Sequence, residues 1–132
     1  MKDISVDIKD VLEDESELGL QFGDNLFIGR LPSKPDNCVV LFTNPSAPPD
    51  VALDAATINN DSFQMYVRNT SYQEAMEIAY QVIEVLHVRN RFEVNESFYL
   101  FVKETSNPFL FEWDDNNRVI LIVNFETKRR RI

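Results

Sequence analysis

Glycine is scarce in this chain: it occurs three times, at positions 19, 23 and 29. That supply cannot write a GxGxxG or GxxxxGKS loop, so the usual phosphate-cradling turns are excluded. Cysteine and histidine occur once each, as Cys38 and His87. A lone cysteine cannot form an intramolecular disulfide, and Cys38 opens an apolar run, which points to a buried structural thiol. One Cys and one His are too few nitrogen and sulfur ligands for a zinc site, so no metal or cofactor is expected. His87 falls near the end of a helical pattern, where a cation suits the C-terminal dipole. A Ser–His–acid triad would have to use His87, and no serine has an elbow motif beside it. Apolar runs approaching 18 residues are missing, which excludes a transmembrane helix. The opening residues, MKDISVDIKDVLEDE, are acidic and amphipathic rather than basic and apolar. They do not read as a secretory signal, so a cytoplasmic setting is expected. Cations are also short, 13 Lys and Arg against 22 Asp and Glu, for a net charge of −9. Such a surface repels phosphate at long range and excludes an ordinary DNA-tracking protein. With no catalytic constellation, the expectation is a binding or structural protein and not an enzyme.

What the chain does have is apolar bulk. Hydrophobic residues make up 44%, including ten Phe, four Tyr and one Trp. At 132 residues this is material for one domain, spanning 1–132. Residues 62–86 organise it. Phe63, Met65 and Val67 alternate with Gln64, Tyr66 and Arg68, the period of a strand with one buried face. Thr70 with Gln73, or Ser71 with Glu74, then fits a capping box. Beyond the cap the period becomes helical. Ala75, Ile78, Ala79, Val82 and Leu86 form one stripe, and Tyr72, Met76, Tyr80 and Ile83 a neighbouring one. The arc is wider than a surface helix needs. Its flank meets either a second helix or another copy of the protein.

The remaining segments read in order. Residues 3–18 form a helix capped by Asp3, with Ile4, Ile8, Val11, Leu12 and Leu18 on one side and the acids on the other, ended by Gly19. A strand of about four residues follows within 25–30, around Leu26, Phe27 and Ile28, and another at 38–43, apolar without alternation and so buried on both faces. Residues 44–61 carry Pro45, Pro48 and Pro49 and read as a long loop or arm leaving the domain body. Residues 88–96 read as a polar connection, 97–105 as a strand and 118–128 as the last strand. Asp114, Asp115, Asn116 and Asn117 form a hairpin turn. A calcium loop is the alternative for those acids, but the glycine and terminal glutamate of an EF-hand are missing. The expected fold is α+β, in two layers, a mostly antiparallel sheet covered on one face by two helices.

Two features suggest contact surfaces. Between strands, Phe109, Leu110, Phe111 and Trp113 make an apolar knot where a loop should be polar. It either folds back over the core or packs against a neighbouring subunit. The charge is also polarised: acids crowd residues 3–17, while Lys128, Arg129, Arg130 and Arg131 run together at the far end. These ends can pair within the fold or between copies, or both can be solvated. The candidate interface residues are therefore Phe109, Phe111, Trp113, Tyr72, Tyr80, Arg129, Arg130 and Arg131.

Several stretches resemble one family of long-tailed bacteriophages, labelled minor capsid protein and read as tail terminators. They are LFIGRLP at 26–32, PDNCV at 35–39, VRNTSYQEA at 67–75, NPF at 107–109 and VNFE at 123–126. Together they span residues 5 to 127, nearly the whole chain. The resemblance implies a small α/β protein that assembles as a homo-oligomeric ring, usually a hexamer, on the finished end of the tail tube. The ring stops tube growth, meets the tail tube protein on one side and the head–tail connector on the other, and lets DNA pass during ejection without binding it specifically. It implies a place in the virion, at the head-proximal end of the tail, reached by assembly in the host cytoplasm, with no membrane contact. An acidic chain suits such a pore, because carboxylates repel sliding phosphates. Two other readings remain. One is a small acidic binding protein, such as a DNA-mimic inhibitor. The other is a different head–tail joining protein.

Overall fold

One long strand, β9 (Val119–Arg131), holds the sheet together. The computed structural model describes residues 1–46, 48–51, 57–89 and 91–132; nothing is said of the others, nor of the side chains of Val51 and Val88. Before β9 come α1 (Ile4–Asp14), a 3-10 turn (Ser16–Leu18), β1 (Leu26–Ile28), β2 (Cys38–Asn44), β3 (Asp50–Val51) and β4 (Thr57–Asn59). Then follow β5 (Ser62–Asn69), α2 (Tyr72–Val88), β6 (Phe92–Val94), β7 (Ser97–Glu104) and β8 (Phe109–Trp113).

Both edges of β9 are used twice. On one edge β5 pairs antiparallel with its first part, Val119 opposite Asn69 through Glu126 opposite Ser62. β4 continues along that edge at Arg129 and Arg130. On the other edge β8 pairs from Val119 to Ile122 and β7 from Phe125 to Arg131. A 13-residue strand therefore serves four partners. The chain is α+β, as expected. Its sheet is mixed and curled, because β1 lies parallel to β2 while the other pairs are antiparallel.

The alternation of β5 builds the core. Phe63, Met65 and Val67 sit opposite Phe125, Val123 and Leu121 of β9, and all are buried with residues of both helices. From α1 come Ile4, Ile8, Val11 and Leu12; from α2 come Ala75, Ala79, Val82 and Leu86. Each Val, Leu, Ile, Phe or Met among them, fully buried, stabilises by about 1.5–3 kcal/mol before conformational entropy is subtracted, and each Ala by less. Asp3 caps α1 by accepting from the Ser5 N–H. Of the two possible caps on α2 the Ser71 one forms, its hydroxyl accepting from the Glu74 N–H at 3.2 Å. Thr70 instead donates its backbone N–H to Asn37.

Four expectations need correction. The polar connection at 88–96 contains β6, paired with β7 across a two-residue turn. Asn95 and Glu96 both take positive φ there (47° and 66°), the hairpin geometry that matches strand twist. The aromatic knot is not outside the sheet: it is β8, and the Asp-Asn turn joins it to β9 as a hairpin. β9 runs on through the basic residues to Arg131 instead of stopping at Lys128. The stretch 44–61 holds a small hairpin, and its strand β4 is tied to β9; residues 52–56 lie outside the described ones.

The second face of the sheet is also occupied at one end. Arg68, expected on the solvent side of β5, is buried and donates to the Pro35 and Asp36 carbonyls at 2.6 and 3.2 Å. Arg118, just before β9, is buried too and donates to the Ser33 carbonyl at 2.7 Å. Two guanidiniums thus bind the backbone of the loop before β2. Cys38 lies at this end as a buried free thiol, and burial raises its pKa above the usual thiol value.

Candidate assembly surface

β8 is an edge strand made of large apolar residues. It pairs with β9, and among the described residues no other strand lies along its outer edge. Its backbone donors and acceptors on that side face outward. Such an edge is a template for another chain unless it is short, charged or covered. Here the only charge is Glu112. Phe109, Leu110, Phe111 and Trp113 expose 41%, 47%, 54% and 50% of their surfaces. The register slips between Leu110 and Glu112, so Phe111 is the extra residue of a bulge. A bulge re-aims a side chain. The Phe111 ring is 6.1 Å from Tyr66 of β5, which is 4.7 Å from Phe42 of β2. An aromatic row therefore crosses the sheet and ends on the open edge.

The β8–β9 turn is tied together by one carboxylate. The Asp114 carboxylate accepts from the Asn116 and Arg118 N–H groups at 2.9 and 3.0 Å and from the Arg118 Nε at 2.8 Å. Burial alone would raise the Asp114 pKa, but these Arg118 and Asn116 bonds outweigh it and hold the carboxyl below its ordinary range. Asn117 takes the left-handed conformation the turn needs, at φ 57°. The turn acid is thus engaged within its own hairpin.

The other candidate residues fall elsewhere. Tyr72 and Tyr80 are exposed on α2, away from β8. Arg130 and Arg131 are exposed at the end of β9. Arg129, expected beside them as an interface residue, is turned inward. Its guanidinium binds Asp7 of α1 at 2.8 Å and Asp61 at 2.5 Å, and donates to the Lys2 carbonyl at 2.7 Å. The acidic start and basic finish of the chain thus pair within the fold at this point. Asp7 was expected on the acidic outer face of α1, yet it is fully buried. It also accepts from the Tyr99 hydroxyl at 2.6 Å and from the Asn95 amide at 3.0 Å. Burial, and then the hydrogen bond to Asp7, push the Tyr99 hydroxyl far above an ordinary phenol, so it stays neutral and donates. The spacing held a signal for this: Asp7 lies three residues after Ile4 and four before Val11, on the apolar stripe.

Among the described residues, no group of three or more His, Cys, Asp or Glu side chains is arranged to hold a metal ion. No helix among them is long and apolar enough to cross a membrane. What the geometry offers is surface for protein contact: an aromatic open edge, a tyrosine-bearing helix and a basic strand end.

Comparison with known proteins agrees with that character. Residues 6–131 match a family described as bacteriophage tail terminator protein. No individual curated protein matches the sequence. Among solved structures, the fold resembles a chain of the virion of a native gene transfer agent particle. The TM-score is 0.65 at 14% identity, over 97% of this chain and 95% of that one.

Proposed function

This chain belongs to the bacteriophage tail terminator family, a structural component of phage tails, and from that premise we propose that it closes the tail tube as a ring. Six copies assemble on the head-proximal end of the tube, stop its polymerisation and present their far side to the head–tail connector. The protein then remains in the virion, having assembled in the host cytoplasm, and DNA passes through the ring.

The observation that carries this reading is β8. A monomer with four large apolar side chains about half exposed on an unpaired edge is prone to aggregate, and such a patch is the usual mark of a contact site. We assign it to contact with the tube or with a neighbouring subunit. The net charge of −9 supports the second part of the reading, because a lumen of negative potential lets phosphates slide.

The experiment is electron microscopy of the purified protein, together with tails from a phage carrying a stop codon in this gene. Rings of tail width, and tails of uncontrolled length without the protein, are expected. Normal-length tails in its absence would overturn the terminator role. A lumen lined mainly by Lys and Arg would overturn the account of DNA passage.

A further inference from the structure

The pairing of β8 with β9 decides which of its backbone groups look outward. The Asp114 N–H donates to the Arg118 carbonyl at 2.9 Å. In an antiparallel ladder, pairs that exchange hydrogen bonds alternate with pairs that do not. Counting from Asp114, Trp113 opposite Val119 is an unbonded pair and Glu112 opposite Ile120 a bonded one. The N–H and C=O of Trp113 therefore point away from β9, onto the open edge. An added strand supplies one acceptor and one donor for such a residue, whereas a helix has spent its own internally. The bulge at Phe111 shortens the ladder this edge accepts. It disfavours indiscriminate pairing of edges without closing the edge at Trp113. Beside Trp113 stands Glu112, exposed and the single charge of the strand.

The other edge strands of the sheet are poor partners for β8 in a second copy. At the edge of β1, the Leu26 carbonyl accepts from the Gly23 N–H at 3.0 Å and the Leu26 N–H donates to the Gln21 carbonyl at 3.3 Å. That edge is closed by its own turn. The edge strand β6 has exposed Glu93 at its centre, and β3 begins with exposed Asp50. Either would bring an acid to the acid of β8, and like charges across a strand pair destabilise it.

We propose that the β8 edge is completed by an extended segment of a different protein, the tail tube protein, which adds as a strand along Trp113 and sets a Lys or Arg against Glu112. Main-chain hydrogen bonds then hold the segment, and the half-exposed aromatic rings of β8 cover its apolar side chains. This inference rests on the assignment of β8 to contact made above and chooses between its two partners.

The test uses tail tubes from the phage with the stop codon in this gene, mixed with the purified chain and pelleted. Trp113→Ala removes the ring and keeps the N–H; Trp113→Pro removes both, and an edge strand tolerates proline where the N–H faces outward. The proline variant should bind tubes about threefold to tenfold more weakly than the alanine variant, the net worth of one hydrogen bond. Glu112→Lys should weaken binding by about tenfold relative to wild type, and Glu112→Gln by less. A second measurement needs no variant to fold. In free wild-type protein the Trp113 amide should exchange with deuterium quickly while the Glu112 amide is slow, and on tubes the Trp113 amide should become slow. Wild-type protein that binds tubes with a fast Trp113 amide, or with equal affinity of the proline and alanine variants, overturns the added strand while the terminator reading stands. Protection of Trp113 in rings formed without tubes assigns the edge to a second copy and overturns the partner. Wild-type protein that binds no tubes overturns both the inference and the reading beneath it.

Discussion

Arg129 and Asp7 lie 122 positions apart in sequence and 2.8 Å apart in space. Their side chains are 6% and 0% exposed, and they join the last strand to the first helix. Removing one partner of a buried pair strands the other charge. Arg129→Met should therefore destabilise by about 3–5 kcal/mol. Replacing Asp7 and Arg129 together by apolar residues should cost less than the single change. Urea denaturation of the two variants gives the comparison; equal losses would mean the pair acts only through packing.

The cap on α2 gives a smaller and more selective effect. Ser71→Ala removes the acceptor for the Glu74 N–H and should cost about 1 kcal/mol. Thr70→Ala should change stability by no more than about 0.5 kcal/mol, since its backbone, not its hydroxyl, makes the observed bond. The reverse order would place the helix start one residue earlier.

Asp114 should make stability pH-dependent. Its folded pKa is depressed, so its contribution is complete above the ordinary carboxylate pKa and is lost as pH falls through the folded value. Asp114→Asn should therefore be less stable than wild type at neutral pH, with the gap closing as the pH drops below the normal Asp range. A gap independent of pH would show that turn geometry, not charge, is at stake.

Changing Phe109, Phe111 and Trp113 together to Ser should leave the fold intact, because all three rings are about half exposed; a loss of about 2–4 kcal/mol is expected from their covered halves. Assembly should suffer instead, read as lost rings or as tails of irregular length. A folded variant that completes normal tails would remove β8 from the interface.

The single tryptophan offers a direct probe of the same strand. Trp113 is 50% exposed, so its emission should be red-shifted and readily quenched by neutral acrylamide in the free protein. Assembly on tails should shift the emission to the blue and protect it. Unchanged quenching in assembled tails would show that this edge stays open.

Local pattern revealed the parts of the fold that local chemistry decides. The alternation of Phe63, Met65 and Val67, the Ser71 cap and the apolar stripe of α2 each follow from a period or a spacing, and each appears in the structure. The misses share one cause, which is partners distant in sequence. Phe92, Glu93 and Val94 are too short a run to declare a strand, and they become one by pairing with β7. The 109–113 segment lacks alternation and reads as a knot; β9 makes it a strand. Arg68 and Arg118 look like surface cations until the carbonyls of Ser33, Pro35 and Asp36 fold over them. For the candidate surface, the aromatic identity of β8 was legible and its open edge was not. Arg129 could not be told from Arg130 and Arg131, because only its distant partners Asp7 and Asp61 set it apart.

The position of β9 also orders events in time. During synthesis β4, β5, β7 and β8 all leave the ribosome before the strand that joins them. Contacts of such long sequence separation form late and slowly. A chain released before residue 119 would lack the shared partner of all four strands, and Asp7 would lack Arg129. Truncated products are then left without a closed core and exposed to proteolysis. Because four strands share one late partner, folding itself becomes the inspection step.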